Sequence, residues 1–297
     1  VKQAIKVEYE TLNAQKGGRP LPEQKFFVGT SFPAGFDGFG TTLTDFAAFI
    51  NRSLGINTTS ALNHGAIRDD DANPNTPGVS FTAPAVFAPS SSAAWTLTDA
   101  AVTDWTLDEG VQVGDIIRFN TGLGAGQTAA VTAIAGSTLT FTVMSANSPL
   151  PAAGDQYTIH EPAGVKIVDS ADTPWLTDGA LVIAGNAGSA NQISNVEITN
   201  VTNSVSFAPF TQIEAASGES VSTSAVVYDS IGGAHQVEFT FVLDARGVVD
   251  PTTGSVGNTW RVFTESQDNR FLSGAGSLLG SDRVTGSGQI FFSNEGQ

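Results

Sequence analysis

The chain has 297 residues, 40% of them hydrophobic and only 14% charged, which allows two or three domains with cores of their own and a surface covered largely by Ser, Thr, Asn, Gln and Gly. Its 29 acidic and 13 basic side chains give a formal charge of −16, and Arg118 is the only Lys or Arg between Asp69 and Val165, so nucleic acid and anionic membrane are poor partners. Cysteine is absent, which removes disulfides, thiolate catalysis and Cys-ligated metals together.

In chain order, Ile5, Val7 and Tyr9 alternate with Lys6, Glu8 and Glu10, the pattern of a half-buried strand with its charges in solvent. Gly17-Gly18-Arg19-Pro20-Leu21-Pro22 ends it, because two Gly and two Pro cannot continue a central strand, and a connection is expected to leave the first domain there. From Thr42 to Leu54 the residues Leu43, Phe46, Ala47, Ile50 and Leu54 recur at helical spacing. Thr42 is placed to cap this helix, Asp45 to favour its positive end and Gly55 to stop it. Residues 69–94, with Asp69-Asp70-Asp71 and four prolines, predict mostly loop, with a strand at Val79 to Val86.

Short strands at even spacing follow: Trp95 to Leu97, Ile116 to Phe119, Thr128 to Ile134, Thr138 to Val143 and Gln156 to His160. Val113-Gly114-Asp115-Ile116 is echoed by Gly154-Asp155-Gln156-Tyr157, two copies being too few for a solenoid. Val165 to Val168, Leu181 to Ala184 and Gln192 to Thr199 add strands. Val221 to Tyr228, a turn over Asp229 to Gly233, and alternating Val237, Phe239 and Phe241 predict a hairpin, with Trp260 to Phe263 and Gln289 to Phe292 lying beside it. The class is therefore all-β, with one short helix near 42–54 and two or three antiparallel sandwich or barrel domains nested by insertion. The expected divisions are 1–30 with 200–297, then 31–94 with 163–199, then 95–162.

Each group that could carry chemistry has a plainer reading. His64, His160 and His235 share no spacing that puts two on one face, so surface or strand-end roles outweigh a zinc site. Asp69, Asp71 and Asn73 imitate the first ligands of a calcium loop, but Pro74 stands where Gly is needed and Ser80 where the closing Glu belongs, so a solvated acidic turn is the default and a weak cation contact the alternative. Gly122-Leu123-Gly124-Ala125-Gly126 precedes a strand rather than a helix, which favours a hairpin turn over a phosphate cradle. Trp95, Trp105 and Trp175 could stack on sugars, against core packing as the stronger reading. No nucleophile elbow occurs and no carboxylate pair is singled out, so neither catalytic nor cofactor residues are assigned.

The stretch Val227-Tyr228-Asp229-Ser230-Ile231-Gly232-Gly233-Ala234-His235-Gln236-Val237-Glu238-Phe239 resembles the bacterial flagellar hook protein family, and Asn258-Thr259-Trp260-Arg261-Val262-Phe263 resembles the strand that follows it there. Tyr228, Asp229, Ser230, Gly232, His235 and Trp260 carry the motif. Gly233 stands where the family often has Asn, and both tolerate a positive φ. Ile5 to Ala14 and Gly288 to Gln297 are similar to flanking strands of the family, while roughly residues 26 to 200 have no counterpart and read as an insertion.

The resemblance implies a non-enzymatic structural subunit without cofactors, extracellular in the hook and exported without a cleaved signal peptide. Its implied partners are copies of itself in a helical tube, together with hook cap and hook-filament junction proteins. Hook subunits polymerise through long terminal helices, and this chain, reading as a fragment without them, is expected to be monomeric. The competing readings are an extracellular adhesin or carbohydrate-binding module and a phage or other tube protein.

Overall fold

A computed structural model describes residues 9–58, 64–67, 80–81, 85–89, 95–99, 102–108, 111–119, 128–143, 156–167, 180–200, 205–206, 210–212, 215–249, 253–272 and 278–294. The chain is mostly strand, in several antiparallel sheets, with one three-turn helix, so the all-β class holds. It forms two units, one of residues 1–57, 164–240 and 263–287, the other of 58–163, 241–262 and 288–297.

In the first unit the strand Tyr9–Lys16 lies inside a six-stranded sheet, between Ile193–Asn200 and Gln24–Val28. Of the expected alternation, residues 5–8 lie outside the described residues; the strand that is described is central, with Glu10, Thr11, Leu12, Ala14 and Lys16 all buried. The expectation of solvent-facing charges fails at Glu10, whose Oε1 accepts a 2.6 Å hydrogen bond from Asn200, its directly opposed cross-strand neighbour. Gly17 (φ +55°) and Gly18 (φ +76°) form the two-residue turn that returns the chain as Arg19–Pro20 against the end of the same strand. Gln24–Val28 then pairs in parallel with Gly38–Gly40, two short strands that no alternation announced.

The helix runs Leu43–Ser53 behind a complete capping box, with Thr42 Oγ1 accepting from Asp45 N and the Asp45 carboxylate accepting from Thr42 N. Gly55 follows at φ +63°, as the sequence indicated. The buried stripe is offset from the predicted one: Leu43 is 43% exposed, whereas Phe49 is fully buried with Phe46, Ala47 and Ile50. The rings of Phe26, Phe46 and Phe49 meet at centroid distances of 5.0 to 6.0 Å, so three aromatics rather than Leu43 join helix to sheet.

In the second unit an eight-stranded sheet has the order His64–Ile67, Tyr157–Pro162, Ile116–Phe119, Thr128–Ala135, Thr138–Val143, Trp95–Asp99 and Ala85–Pro89, with Ser80–Phe81 also paired to Tyr157–Pro162. The single strand expected at Val79 to Val86 is thus two short ones. Registers Tyr157↔Phe119, Ile159↔Ile117, Ile117↔Ala129, Val131↔Phe141 and Leu139↔Leu97 place every second residue of five strands on one face, and all of these are buried. That face packs on Trp105, which lies in a single helical turn, Trp105–Asp108, missed by the sequence reading.

Ser220–Tyr228, Ala234–Val249, Val256–Ser266 and Val284–Ser293 form a four-stranded sheet in that order, the strands expected to lie together. Two further two-stranded sheets join Gly164–Ile167 to Leu181–Ala184 and Arg270–Leu272 to Leu278–Ser281, the latter pair not anticipated.

The corrected helix face is testable by urea unfolding. Phe49→Ala should cost about 3–5 kcal/mol, and Leu43→Ala should stay within about 0.5 kcal/mol of wild type. Equal losses at the two positions would reject the observed face.

Candidate functional site

The motif turn is built by one carboxylate. Asp229 Oδ1 accepts from the amides of Ile231 (2.9 Å) and Gly233 (2.7 Å), while Asp229 N donates to Gly233 O and Gly232 N to Asp229 O. Only Asp, Asn, Ser or Thr at the first turn position can close such a loop onto its own backbone. Gly232 takes φ +86° with open space where a Cβ would be, so it is glycine for backbone conformation alone.

Gly233 is a different case, and the sequence argument for it fails. Its φ is not positive, and a Cβ there would lie 2.7 Å from Asp229 Oδ2. The position is small to make room for the carboxylate.

His235, the second residue of the strand that leaves the turn, places Nε2 3.2 Å from Asp229 Oδ2 and Nδ1 3.3 Å from Asp268 Oδ2. The hydrogen bond to Asp229, then that to Asp268, raises its pKa above the ordinary 6.5. The Asp229 carboxyl is lowered from 3.8, first by His235 and then by the Gly233 amide.

Tyr228, Ser230 and Ile231 are exposed around this turn, Tyr228 at 72% and Ile231 at 91%. Trp260, the remaining motif residue, is half-buried in Val256–Ser266 and belongs to the second unit.

Two buried charge networks lay beyond the sequence reading. In the first unit Lys16 Nζ donates to Gly55 O (2.8 Å) and to Glu265 Oε1, and Arg283 pairs with the other oxygen of Glu265 at 3.5 Å. Glu238 stands 3.9 Å from Arg283 and accepts from Arg19 at 3.2 Å, and Arg19 also donates to Ser222. In the second unit the Asp244 carboxylate accepts from Arg261 (2.9 and 3.1 Å), Arg118 (3.2 Å) and Gln289 (2.8 Å). Burial lowers the Arg261 pKa while Asp244 opposes the shift, so the ion pair is the condition on which this guanidinium is tolerated. The only sequence signal was Arg118 itself, one cation in a long acidic stretch.

The remaining candidates do not assemble. His160 is buried in its strand against Thr158 Oγ1 at 2.8 Å, His64 lies on the neighbouring strand, and His235 is in the other unit. Among the described residues no three His, Asp or Glu side chains are grouped to hold a metal ion. Asp69, Asp71, Asn73, Gly122 to Gly126 and Trp175 lie outside the described residues. Trp105 is fully buried and presents no ring face to a sugar, and Trp95 is half-buried against the same core.

Residues 195–297 match the family model of the flagellar basal body protein FlaE D2 domain, a stretch that contains the four-stranded sheet, the Asp229 turn and Trp260. The match supports a flagellar hook-type protein, and that family is structural rather than enzymatic. No curated protein and no solved structure matches the chain.

The Asp244 network predicts an asymmetry. Asp244→Ala, which strands Arg261 in the interior, should lower unfolding free energy by about 3–5 kcal/mol, and Asp244→Leu combined with Arg261→Met should recover most of that loss. Equal destabilisation of the single and double variants in urea would show that the charges are not what couples these positions.

Proposed function

We propose that this chain is part of a subunit of the bacterial flagellar hook, the curved tube that transmits motor torque to the filament. The observation that carries this reading is the family match over 195–297, which includes both the Asp229 to His235 turn and the Asn258 to Phe263 strand. Roughly residues 26 to 200 are then an insertion into the outer region, nested as 31–94 with 163–199 around 95–162.

The physical character of the chain supports such a role. A joint that bends while transmitting load needs stiff subunits and contacts that re-register cheaply. Stiffness is served by charges paired inside each unit. Easy re-registration is served by faces of Ser, Thr and Gly, with few charges to match across a contact. Both edge strands of the four-stranded sheet, Ser220–Tyr228 and Val284–Ser293, contain no Asp, Glu, Lys or Arg, whereas its two inner strands do.

In this reading the protein is extracellular, exported without a cleaved leader, and works with copies of itself, a hook cap and hook-filament junction proteins. Contacts of the sheet faces are weak alone and act in the assembled tube, so the chain by itself is monomeric. Immunogold labelling of flagellated cells with antibody against the chain should mark only the short segment between cell body and filament. Label along the filament or over the general cell surface would overturn the assignment. Sedimentation at micromolar concentration should return a monomer, and a stable oligomer would contradict the weak-contact part of the proposal.

A further inference from the structure

The hairpin of the motif has an unusual exposure pattern. Residues 223–228 are exposed without alternation, so both faces of this strand end lie in solvent, and Ile231 at the tip is almost wholly free. Ser220–Tyr228 is an edge strand, held on one side only by Ala234–Val249, and its exposed end has no packed face to fix the direction of the turn. Polar ties beside the turn must supply that.

Asp229 divides the task between its two oxygens. Oδ1 is committed to the Ile231 and Gly233 amides and gives the turn its shape. Oδ2 faces His235 Nε2, and His235 Nδ1 faces Asp268 on the turn after Val256–Ser266. That second turn is itself anchored: Ser266 Oγ donates to Gln236 O (2.9 Å), Asp268 N to Ser266 Oγ (3.3 Å) and Asn269 Nδ2 to Val284 O (2.8 Å).

We infer that Asp229, His235 and Asp268 form a proton-operated latch that aims the exposed tip carrying Tyr228 and Ile231. The geometry requires a proton on each ring nitrogen. Both nitrogens face carboxylate oxygens, which only accept, and a neutral imidazole has one N–H to give. In the neutral ring one contact therefore sets lone pair against lone pair and opens. In the imidazolium both close.

The charged groups facing the ring among the described residues are Asp229 from its own hairpin and Asp268 from the neighbouring turn. Both favour the imidazolium, so the ring's pKa lies above 6.5 when the latch is formed. The stabilisation is thus complete below 6.5 and is lost as pH rises through that higher value. At the acid end it fades as pH falls through the lowered pKa of Asp229, beneath 3.8. Because all three groups are partly open to solvent, salt should weaken the latch. The turn's shape rests on Asp229 Oδ1 and should survive deprotonation of His235.

The full chain contains no cysteine, so spin labels on Ile231→Cys and Gln267→Cys report one distance. Electron paramagnetic resonance should give a narrow distribution at pH 5 to 6 that broadens as the NMR-observed His235 titration proceeds, with a midpoint above 6.5. Asp268→Asn should shift that midpoint down towards 6.5. In His235→Gln the distribution should be broad and insensitive to pH over the same range. Exchange protection of the Ile231 and Gly233 amides, corrected for intrinsic exchange, should remain constant in the wild-type chain. A His235 midpoint at or below 6.5, an unchanging distribution, or broadening with pH that persists in His235→Gln would each overturn the latch. These readouts are independent of where in the cell the protein works.

Discussion

The first unit depends on how it accommodates the buried Lys16 ammonium. Taking a charge out of water is costly unless it is paired and hydrogen-bonded, and here Gly55 O and Glu265 supply both requirements. Several features become obligatory once this pair is fixed. The register of Tyr9–Lys16 cannot slip by one residue, because that would turn Lys16 away from Glu265. The helix must end where it does, because the carbonyl that accepts from Lys16 belongs to Gly55. A side chain at Gly55 is excluded twice, by φ +63° and by the Glu265 carboxylate 2.2 Å from where its Cβ would be. Arg283 and Glu238 extend the same electrostatic chain to Arg19 near the surface.

The second unit repeats the principle with the signs exchanged. There a buried carboxylate, Asp244, collects Arg261, Arg118 and Gln289. A chain with so few charged residues has placed several of the most distant in sequence inside its units, where pairing specifies a unique arrangement. Acids and bases are withdrawn together, so the surface keeps the acidic excess of the sequence, a formal −16 over the whole chain, spread among a large majority of uncharged residues.

What the sequence revealed follows from the range of the interaction involved. Ile116–Phe119, Thr138–Val143 and Leu181–Ala184 were legible to the residue because alternation and flanking turn formers are local. So was the helix, whose capping box spans four residues. The failures are non-local. Glu10 looks solvent-facing until Asn200 is opposite it, and Phe49 looks off-stripe until Phe26 arrives on a parallel-paired strand. Lys16 and Glu265 are 249 positions apart, Arg118 and Asp244 126, and no periodicity encodes such pairs. The motif turn lies between these cases: its Asp and Gly were readable, but the reason for Gly233 required knowing where the Asp229 carboxylate points.

That last detail bears on how a turn can combine rigidity with response. Had Asp229 used both oxygens on the backbone, the loop would be closed but indifferent to His235. Had it used neither, a proton on His235 would have no ordered turn to act on. The absent Cβ at Gly233 leaves Oδ2 free to look outward while Oδ1 holds the loop. An Asn or Ala at that position would crowd the outward oxygen without disturbing the backbone conformation. The small residue is therefore better explained by access of the imidazole to the carboxylate than by any demand of the turn itself.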